Sequence, residues 1–532
     1  MKKQGALTFL IIMIILVRIV YYFAQPDLCT DHISQMAMAQ NFMDGHGFSF
    51  KYLDTQQQIY YKTHIQWPPL YPLLLASITF ITANTLLSSL IIQIIVLLLL
   101  VFIWKRIFNL FKNFVTEEAY FYFISLLIIS TSILNNINTI LVLAILILSL
   151  SVYFMFAFLL LDKSKKLNLF LSSLFASLLF WTHYSYFLVA FYPAVVLFII
   201  FLINKDKHNL YAAIRSSVVS FIVTSGVLIY NYFTTGFINY MDNPALWDAG
   251  FFPEHLLLTD PFFLNAFFKS SYLIDYLFSN NQHIFLPILF QLASLIILIV
   301  IVVLFLRLSK NKNLPFKKTS QLFIPFFVII VLTISFLLYF TLHYHEIPRP
   351  GWTHIGDARY LTAVYLSIIA VVIMLVFVKA DYLNKNILNL IKVVFIFLIF
   401  ISLSINIYIT GKEWGNYSFK TNNYVVPGED LQNLFYNIKH ELSKGNQPVF
   451  IDNDLTVRSF RISQYAGAAV INSNELKDIE GFPSNMVFFF ILPVAEQYRD
   501  EDHRMLEWSE KFNLKIIGKV YTNLDLFRVT RH

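Results

Sequence analysis

Two polar groups in this chain are placed to do chemistry. Asp31 follows the first hydrophobic stretch by several residues, in the run QPDLCTDHISQMAMAQNFMDGHGFSF. A carboxylate at a membrane face can act as general base toward a hydroxyl, and partial desolvation raises a carboxylate's pKa toward that use. The same spacing fits a helix N-cap at Thr30 or Asp31, and the residues alone leave both readings open. Asp27, Asp44 and Asp54 stand nearby. Asp44, ahead of Gly45-His46-Gly47, has the form of a turn. The second group is Arg359, beside Tyr360 and near Arg349, at the mouth of a late hydrophobic stretch. A guanidinium there can grip phosphate oxygens in a bidentate fashion, or simply anchor the interface as Arg and Tyr commonly do.

Histidines share the side of the chain on which Asp31 and Arg359 fall: His32, His46, His64, His183, His255, His283, His343, His345 and His354. The alternation His343-Tyr344-His345, with Glu346 next, makes a divalent metal possible, but no ligand spacing of the compact zinc type is present. Asp452-Asn453-Asp454 follows an expected strand and reads as a turn.

The elements that must hold these groups are hydrophobic helices. Mean hydropathy is +0.63, and only 13% of residues are charged, about half the share of a soluble domain. Apolar runs long enough to cross about 30 Å of hydrocarbon recur about eleven times, centred near residues 15, 94, 125, 150, 174, 193, 223, 296, 331, 369 and 398. The run LLLASITFIT after Pro72 is too short to span and reads as interfacial or re-entrant. If the N-terminus is inside, the outer loops before residue 409 carry only Lys51, Lys62, Lys269, Arg349 and Arg359. Every other Lys and Arg in that region falls in an inner segment, except Arg18 within the first helix, which reads as paired inside the bundle. Positive loops resist translocation, so the N-terminus is expected in the cytoplasm and the C-terminus outside, in the plasma (inner) membrane of a bacterium-like cell.

The net charge of +7 is therefore largely an insertion signal. No basic cluster is interleaved with aromatics on a soluble face, which argues against nucleic acid as a partner. Cys29 is the single cysteine, so no intramolecular disulfide can form. The first segment lacks a small-residue cleavage site and reads as a retained helix.

Three outer loops are substantial: 25–71, 236–283 and 343–358. After about Thr410 the composition turns soluble. A helical stretch, EDLQNLFYNIKHELSKG, leads to a strand QPVFID, a helix around Val457–Tyr465, strands AAVIN and MVFFFIL, an amphipathic helix near Asp500–Phe512, and closing strands KIIGKVY and DLFRVTR. Strands alternating with helices predict a small α/β domain. The fold class is thus a polytopic α-helical membrane protein, with a transmembrane domain over 1–409 and a small extracytoplasmic α/β domain over 410–532.

One resemblance joins these pieces. Asp31-His32, Ala39-Gln40-Asn41-Phe42, Gly45-His46-Gly47-Phe48 and Trp67-Pro68-Pro69-Leu70-Tyr71-Pro72 resemble the first external loop of the GT-C glycosyltransferases, in the branch of the protein O-mannosyltransferases and lipid A aminoarabinose transferases. Tyr230-Asn231-Tyr232 with Thr235-Gly236 is similar to that branch's R-N-Y…G motif, and Asp357-Ala358-Arg359-Tyr360-Leu361 to its E-x-R-Y-L. The likeness runs over roughly residues 5–380.

It implies an inverting transferase moving one sugar from a polyprenyl-phosphate donor to a hydroxyl on a lipid, glycan or protein acceptor. Asp31 would be the base, Arg359, Tyr360, Lys62 and Arg349 would hold the donor phosphate, and His32, His64, Asp44, His183 and Asn231 would line the site. His343 and His345 remain the metal candidates. Three positions depart from the family's habit: His32 where an acidic residue is frequent, Ser34 in place of an aromatic, and Trp67 in place of a Lys that touches phosphate, for which Lys62 is the nearby substitute. The loop 236–283, with Trp247, Asp248 and Phe251-Phe252-Pro253, could close over the sugar or form an aromatic belt. Two other readings stay open, a flippase for lipid-linked sugars and an O-antigen-type polymerase or ligase. The flippase predicts two matching halves with Gly- or Pro-broken helices, and neither is evident with 15 glycines in the chain.

The topology is directly testable. Alkaline phosphatase, which folds only outside the cytoplasm, should be active when fused after His532 and inactive when fused after Lys166. Equal activity at both points would overturn the assignment.

Overall fold

The computed structural model describes residues 8–16, 30–54, 56–129, 139–161, 164–238, 247–252, 316–346, 362–379, 388–397, 429–452, 463–472, 485–493, 513–520 and 524–530, with scattered single positions between them. Two compact units emerge. One comprises Met1–Arg18, Ile65–Leu70 and Ile92–Thr410; the other comprises Ile19–His64, Tyr71–Ile91 and Gly411–His532.

The first unit is helical. Its elements are α3 (Thr85–Leu110, of which the portion from Ile92 belongs here), α4 (Glu118–Ile129), α5 (Thr139–Leu160), α6 (Lys165–Phe180), α7 (Tyr192–Asn204), α8 (Lys207–Thr235), α9 (Phe316–His343) and α10 (Thr362–Val376). Among the described residues, four helices are long and apolar enough to cross a membrane: Thr85–Leu110, Leu143–Leu160, Lys207–Thr235 and Phe323–His343. Shorter apolar helices include Glu118–Ile128, Val189–Asn204, Thr362–Val376 and Leu388–Phe397. The expected span near residue 296 lies outside the described residues.

These helices bury large side chains and pair many of their polar ones, Ser125 on α4 being without a hydrogen-bond partner among the described residues. The Trp104 indole N–H donates to Ser149 Oγ at 2.9 Å while its ring packs 4.1 Å from Phe123. Ser151 Oγ bonds the Ser172 carbonyl at 2.6 Å and the Tyr192 hydroxyl at 2.9 Å. Ser173 meets Ser216 at 2.7 Å, and Ser220 donates to the Ala190 carbonyl at 2.8 Å. In a medium without water a hydroxyl is satisfied by such pairs or by a carbonyl of its own helix, as Ser149 and Ser173 also do toward the Ile145 and Leu169 carbonyls at 2.7 and 2.9 Å. Gly226 permits one close approach: a Cβ there would lie 3.3 Å from the Trp181 ring, whose N–H donates to the Val223 carbonyl at 2.9 Å.

At the C-terminal end of α9 two loops meet. Strand β3 (Trp247–Ala249) pairs antiparallel with β4 (Tyr344–Glu346), Asp248 opposite His345. Gly250 and Phe252 N–H groups then donate to the His343 and Leu342 carbonyls, which covers the C-terminal end of α9.

The second unit is α/β. It holds α1 (Thr30–Met43), α2 (Leu70–Thr82, from Tyr71), α11 (Glu429–Ser443) and a seven-stranded sheet in the order β2-β1-β6-β5-β7-β9-β8. The strands are β1 (Ser49–Leu53), β2 (Ile59–Thr63), β5 (Gln447–Asp452), β6 (Ala469–Asn472), β7 (Met486–Pro493), β8 (Asn513–Val520) and β9 (Leu524–Thr530). Central β5 is flanked by parallel β6 and β7. Its Val449, Phe450 and Ile451 are all buried, as a strand covered on both faces requires. Helix α2 has 13 residues, about 20 Å at 1.5 Å per residue, and falls short of the hydrocarbon thickness as its sequence predicts. The amphipathic helix expected near Asp500–Phe512 lies outside the described residues.

The hairpin β1–β2 is unannounced in the sequence. It joins the sheet edge through a parallel pairing of Tyr52 with Val470. Gln464 completes the junction by acting as a surrogate strand: its Oε1 accepts from Lys51 N at 2.8 Å, and its Nε2 donates to the Lys51 carbonyl at 2.6 Å. Replacing Gln464 with Leu should cost about 1–3 kcal/mol by stranding that peptide. Hydrogen exchange should then quicken at residues 49–53 more than at 447–452. Unchanged protection of the hairpin would show that the amide is dispensable.

Candidate active site

Helix α1 begins at Thr30, so Asp31 sits in its first turn, the place where an acidic residue complements the helix dipole. From His32 through Ala39 every residue of α1 is buried. Its sequence pattern suggests that Ala37, Ala39 and Phe42 face lipid. Instead the protein encloses Ala37 and Ala39, and only Phe42 is exposed, stacked on Phe48 with centroids 4.6 Å apart. Small side chains here serve close packing.

His32 anchors this helix. Its Nε2 lies 3.1 Å from the Tyr71 hydroxyl and 3.1 Å from Ser89 Oγ, and Tyr71 also donates to Ser89 at 3.4 Å. The three side chains are buried and come from three helices of the second unit, α1, α2 and the start of α3. Helix α1 thus enters the core through an imidazole shared by two hydroxyls. One turn on, Gln35 is 1% exposed, yet among the described residues neither its Oε1 nor its Nε2 has a hydrogen-bond partner. A buried amide left so costs about 1–3 kcal/mol.

Past Met43 the chain turns through Gly45 and Gly47, both at positive φ. Asn41 Nδ2 donates to the Ser49 carbonyl at 2.7 Å, and Ser49 Oγ to the His46 carbonyl at 2.8 Å. Asp44 is exposed in this turn and supplies negative charge to its neighbours. Burial pulls the Lys51 ammonium below the ordinary lysine range, and Asp44 partly restores it. Lys439 on α11 behaves alike, its pKa lowered by burial with Asp44 opposing. Lys51 Nζ also reaches Gln447 Oε1 and the Gly467 carbonyl, each at 3.3 Å. His46 stacks on Tyr61 at 3.6 Å between centroids and 8° between planes, and burial followed by the charge of Asp44 raises the Tyr61 hydroxyl. Lys62 is exposed on β2. His64 follows the strand and lies 4.5 Å from the Phe50 ring.

His32, His64, Asp44 and Lys62 therefore fall in the second unit, whereas His183, Asn231 and His343 fall in the first. His183 heads a 3-10 turn over Tyr184–Tyr186, its Nδ1 accepting from Ser185 N at 3.2 Å. Asn231 is buried near the end of α8. Its Nδ2 donates to the Tyr184 hydroxyl at 2.9 Å and to the Ile238 carbonyl at 3.0 Å, so it ties a helix end to two loops. His343 Nδ1 lies 2.9 Å from the Tyr339 carbonyl and its ring stacks on Tyr339. Among the described residues no three His, Cys, Asp or Glu side chains gather as a metal site. Arg349, Arg359 and Tyr360, and the side chains of Asp31 and His345, lie outside the described residues.

Sequence reasoning names His32 as a departure from a family pattern and Tyr71 only within a motif; it does not foresee that they bond each other. Gln35 is missed altogether. The signal available was a polar residue four positions beyond the candidate base on an apolar helix.

No protein family model matches the sequence, nor does any curated protein. Solved structures do match. ArnT from Cupriavidus metallidurans bound to undecaprenyl phosphate aligns with a TM-score of 0.57 at 9% identity, over 99% of this chain and 98% of that one. The same protein in the apo state gives 0.55 at 11% identity over the same shares. The Archaeoglobus fulgidus oligosaccharyltransferase in the apo form gives 0.50 at 10% identity, over 92% of this chain and 69% of the other. ArnT is a lipid A aminoarabinose transferase, and both proteins are members of the GT-C superfamily. The chain therefore shares its fold with these solved proteins, which agrees with the resemblance carried by its motifs.

The buried node makes a stability prediction. His32→Leu removes the acceptor or donor shared by Tyr71 and Ser89 and should lower stability by about 1–3 kcal/mol. Tyr71→Phe should cost about 1 kcal/mol, because Ser89 and His32 still bond each other. Melting of the detergent-purified proteins checks the order, and a His32→Leu variant as stable as the parent would contradict it.

Proposed function

We propose that this protein is an inverting membrane glycosyltransferase. It moves a hexosyl or pentosyl unit from a polyprenyl-phosphate donor to a hydroxyl acceptor at the outer membrane face. The observation that carries the reading is the fold likeness over 99% of the chain to a transferase bound to undecaprenyl phosphate, joined to motifs that fall in the same order along this sequence. Asp31 takes the proton of the acceptor hydroxyl as that oxygen attacks the anomeric carbon. The bond to the donor phosphate breaks on the opposite face, and the polyprenyl phosphate leaves as an anion. A base held near its proton donor contributes about 10²–10⁴-fold.

Arg359, with Tyr360 and Arg349, holds the departing phosphate through charge-assisted hydrogen bonds, and Lys62 adds positive charge from the first loop. The C-terminal segment stands outside the membrane, as the distribution of Lys and Arg supports.

Purified protein supplied with radiolabelled polyprenyl-phosphate sugars and membrane extract should transfer label. Asp31→Asn should reduce kcat by at least about 10²-fold while leaving the donor KM little changed. Arg359→Ala should instead raise the donor KM. Transfer that survives Asp31→Asn unaltered would refute the assigned base and favour a polymerase or ligase that relies on outer Arg and His.

A further inference from the structure

We propose that the carboxamide of Gln35 reads the substrate: it hydrogen-bonds a hydroxyl of the bound sugar or acceptor on the side of α1 that carries Asp31. The inference rests on the transferase reading above. Position 35 follows position 31 by four residues in one continuous helix, so both lie on one side of it, a turn apart. Gln35 is enclosed, with 1% of its surface exposed. Among the described residues its Oε1 and Nε2 are both without a hydrogen-bond partner.

The other buried polar residues at the start of this helix are not in that condition. His32 is shared by Tyr71 and Ser89, and Ser34 has an interaction of its own. Buried polar side chains in folded proteins nearly always find partners, and an exception calls for an explanation. A primary amide has one acceptor oxygen and two donor hydrogens. Sugar hydroxyls each donate and accept, so one amide can satisfy two of them at once. A group that binds in this way is paired only when substrate is present, and it therefore discriminates strongly against analogues lacking the hydroxyl.

The test exploits opposite signs. Gln35→Leu replaces the amide with an apolar side chain of similar size. The variant should melt at or above the parent's temperature, because an unpaired buried amide is removed. Its kcat/KM should fall on the order of tenfold to a hundredfold. Gln35→Met serves the same purpose if Leu disturbs folding. Donor binding, measured with labelled polyprenyl-phosphate sugar in the absence of acceptor, assigns the hydroxyl: weakened binding places it on the donor sugar, unchanged binding on the acceptor.

Transfer at the parental rate, or a melting temperature below the parent's in both variants, would overturn the proposal, the latter showing an amide already paired within the protein or by a trapped water. Failure of the parent protein to transfer any sugar would refute the transferase reading instead. The melting comparison still stands in that event: a loss of stability overturns the role of Gln35.

Discussion

A polar atom taken out of water must find a partner inside the protein, and this constraint organises both units. In the helical unit the hydroxyls of Ser151, Ser173 and Ser220 bond groups on neighbouring helices. In the α/β unit a histidine does the same for α1, with Tyr71 and Ser89 as its partners. Where a polar side chain is enclosed and, among the described residues, unpaired, as at Gln35, Ser125 and Ser463, it departs from that rule, and at Gln35 the departure falls on the helix that carries the candidate base.

The same constraint ranks the sequence's polar candidates. Asn231 and His183 spend hydrogen-bonding atoms on the backbone and on Tyr184 or Ser185, and they shape loops. Asp44 sits in solvent at a turn and acts on Lys51 and Lys439 through space. Lys62 stays in solvent. Position distinguishes them more than residue type does.

Much of the helical scaffold was legible because apolar runs need no partner to declare themselves. Thr85–Leu110 and Phe323–His343 coincide with runs read from hydropathy, and the short helix Leu70–Thr82 was visible from its length. Strands β5, β6 and β7 were legible as β-rich apolar segments. The hairpin Ser49–Thr63 was not, since Lys51, Asp54 and the glutamines at 56–58 give it the look of a polar loop and its partner strand is remote. Ala37 and Ala39 misled because a small apolar residue fits lipid or a tight interior equally well. Gln35 had only its place four residues beyond the candidate base as a sequence signal; enclosure is what gives the amide meaning.

The remoteness of that partner strand has a consequence for biosynthesis. Lys51 and the Gln464 amide that braces it are 413 residues apart. At about 10 residues per second the ribosome needs on the order of 40 s to deliver the second after the first. During that interval β1 has only β2 beside it and keeps an open edge, the kind of surface that recruits other nascent chains. The charged Lys51 at its centre and the short length of five residues are suited to guarding such an edge. The sheet is thus closed last, by the final quarter of the polypeptide, and a ribosome that stalls before Val470 leaves the hairpin without its dock.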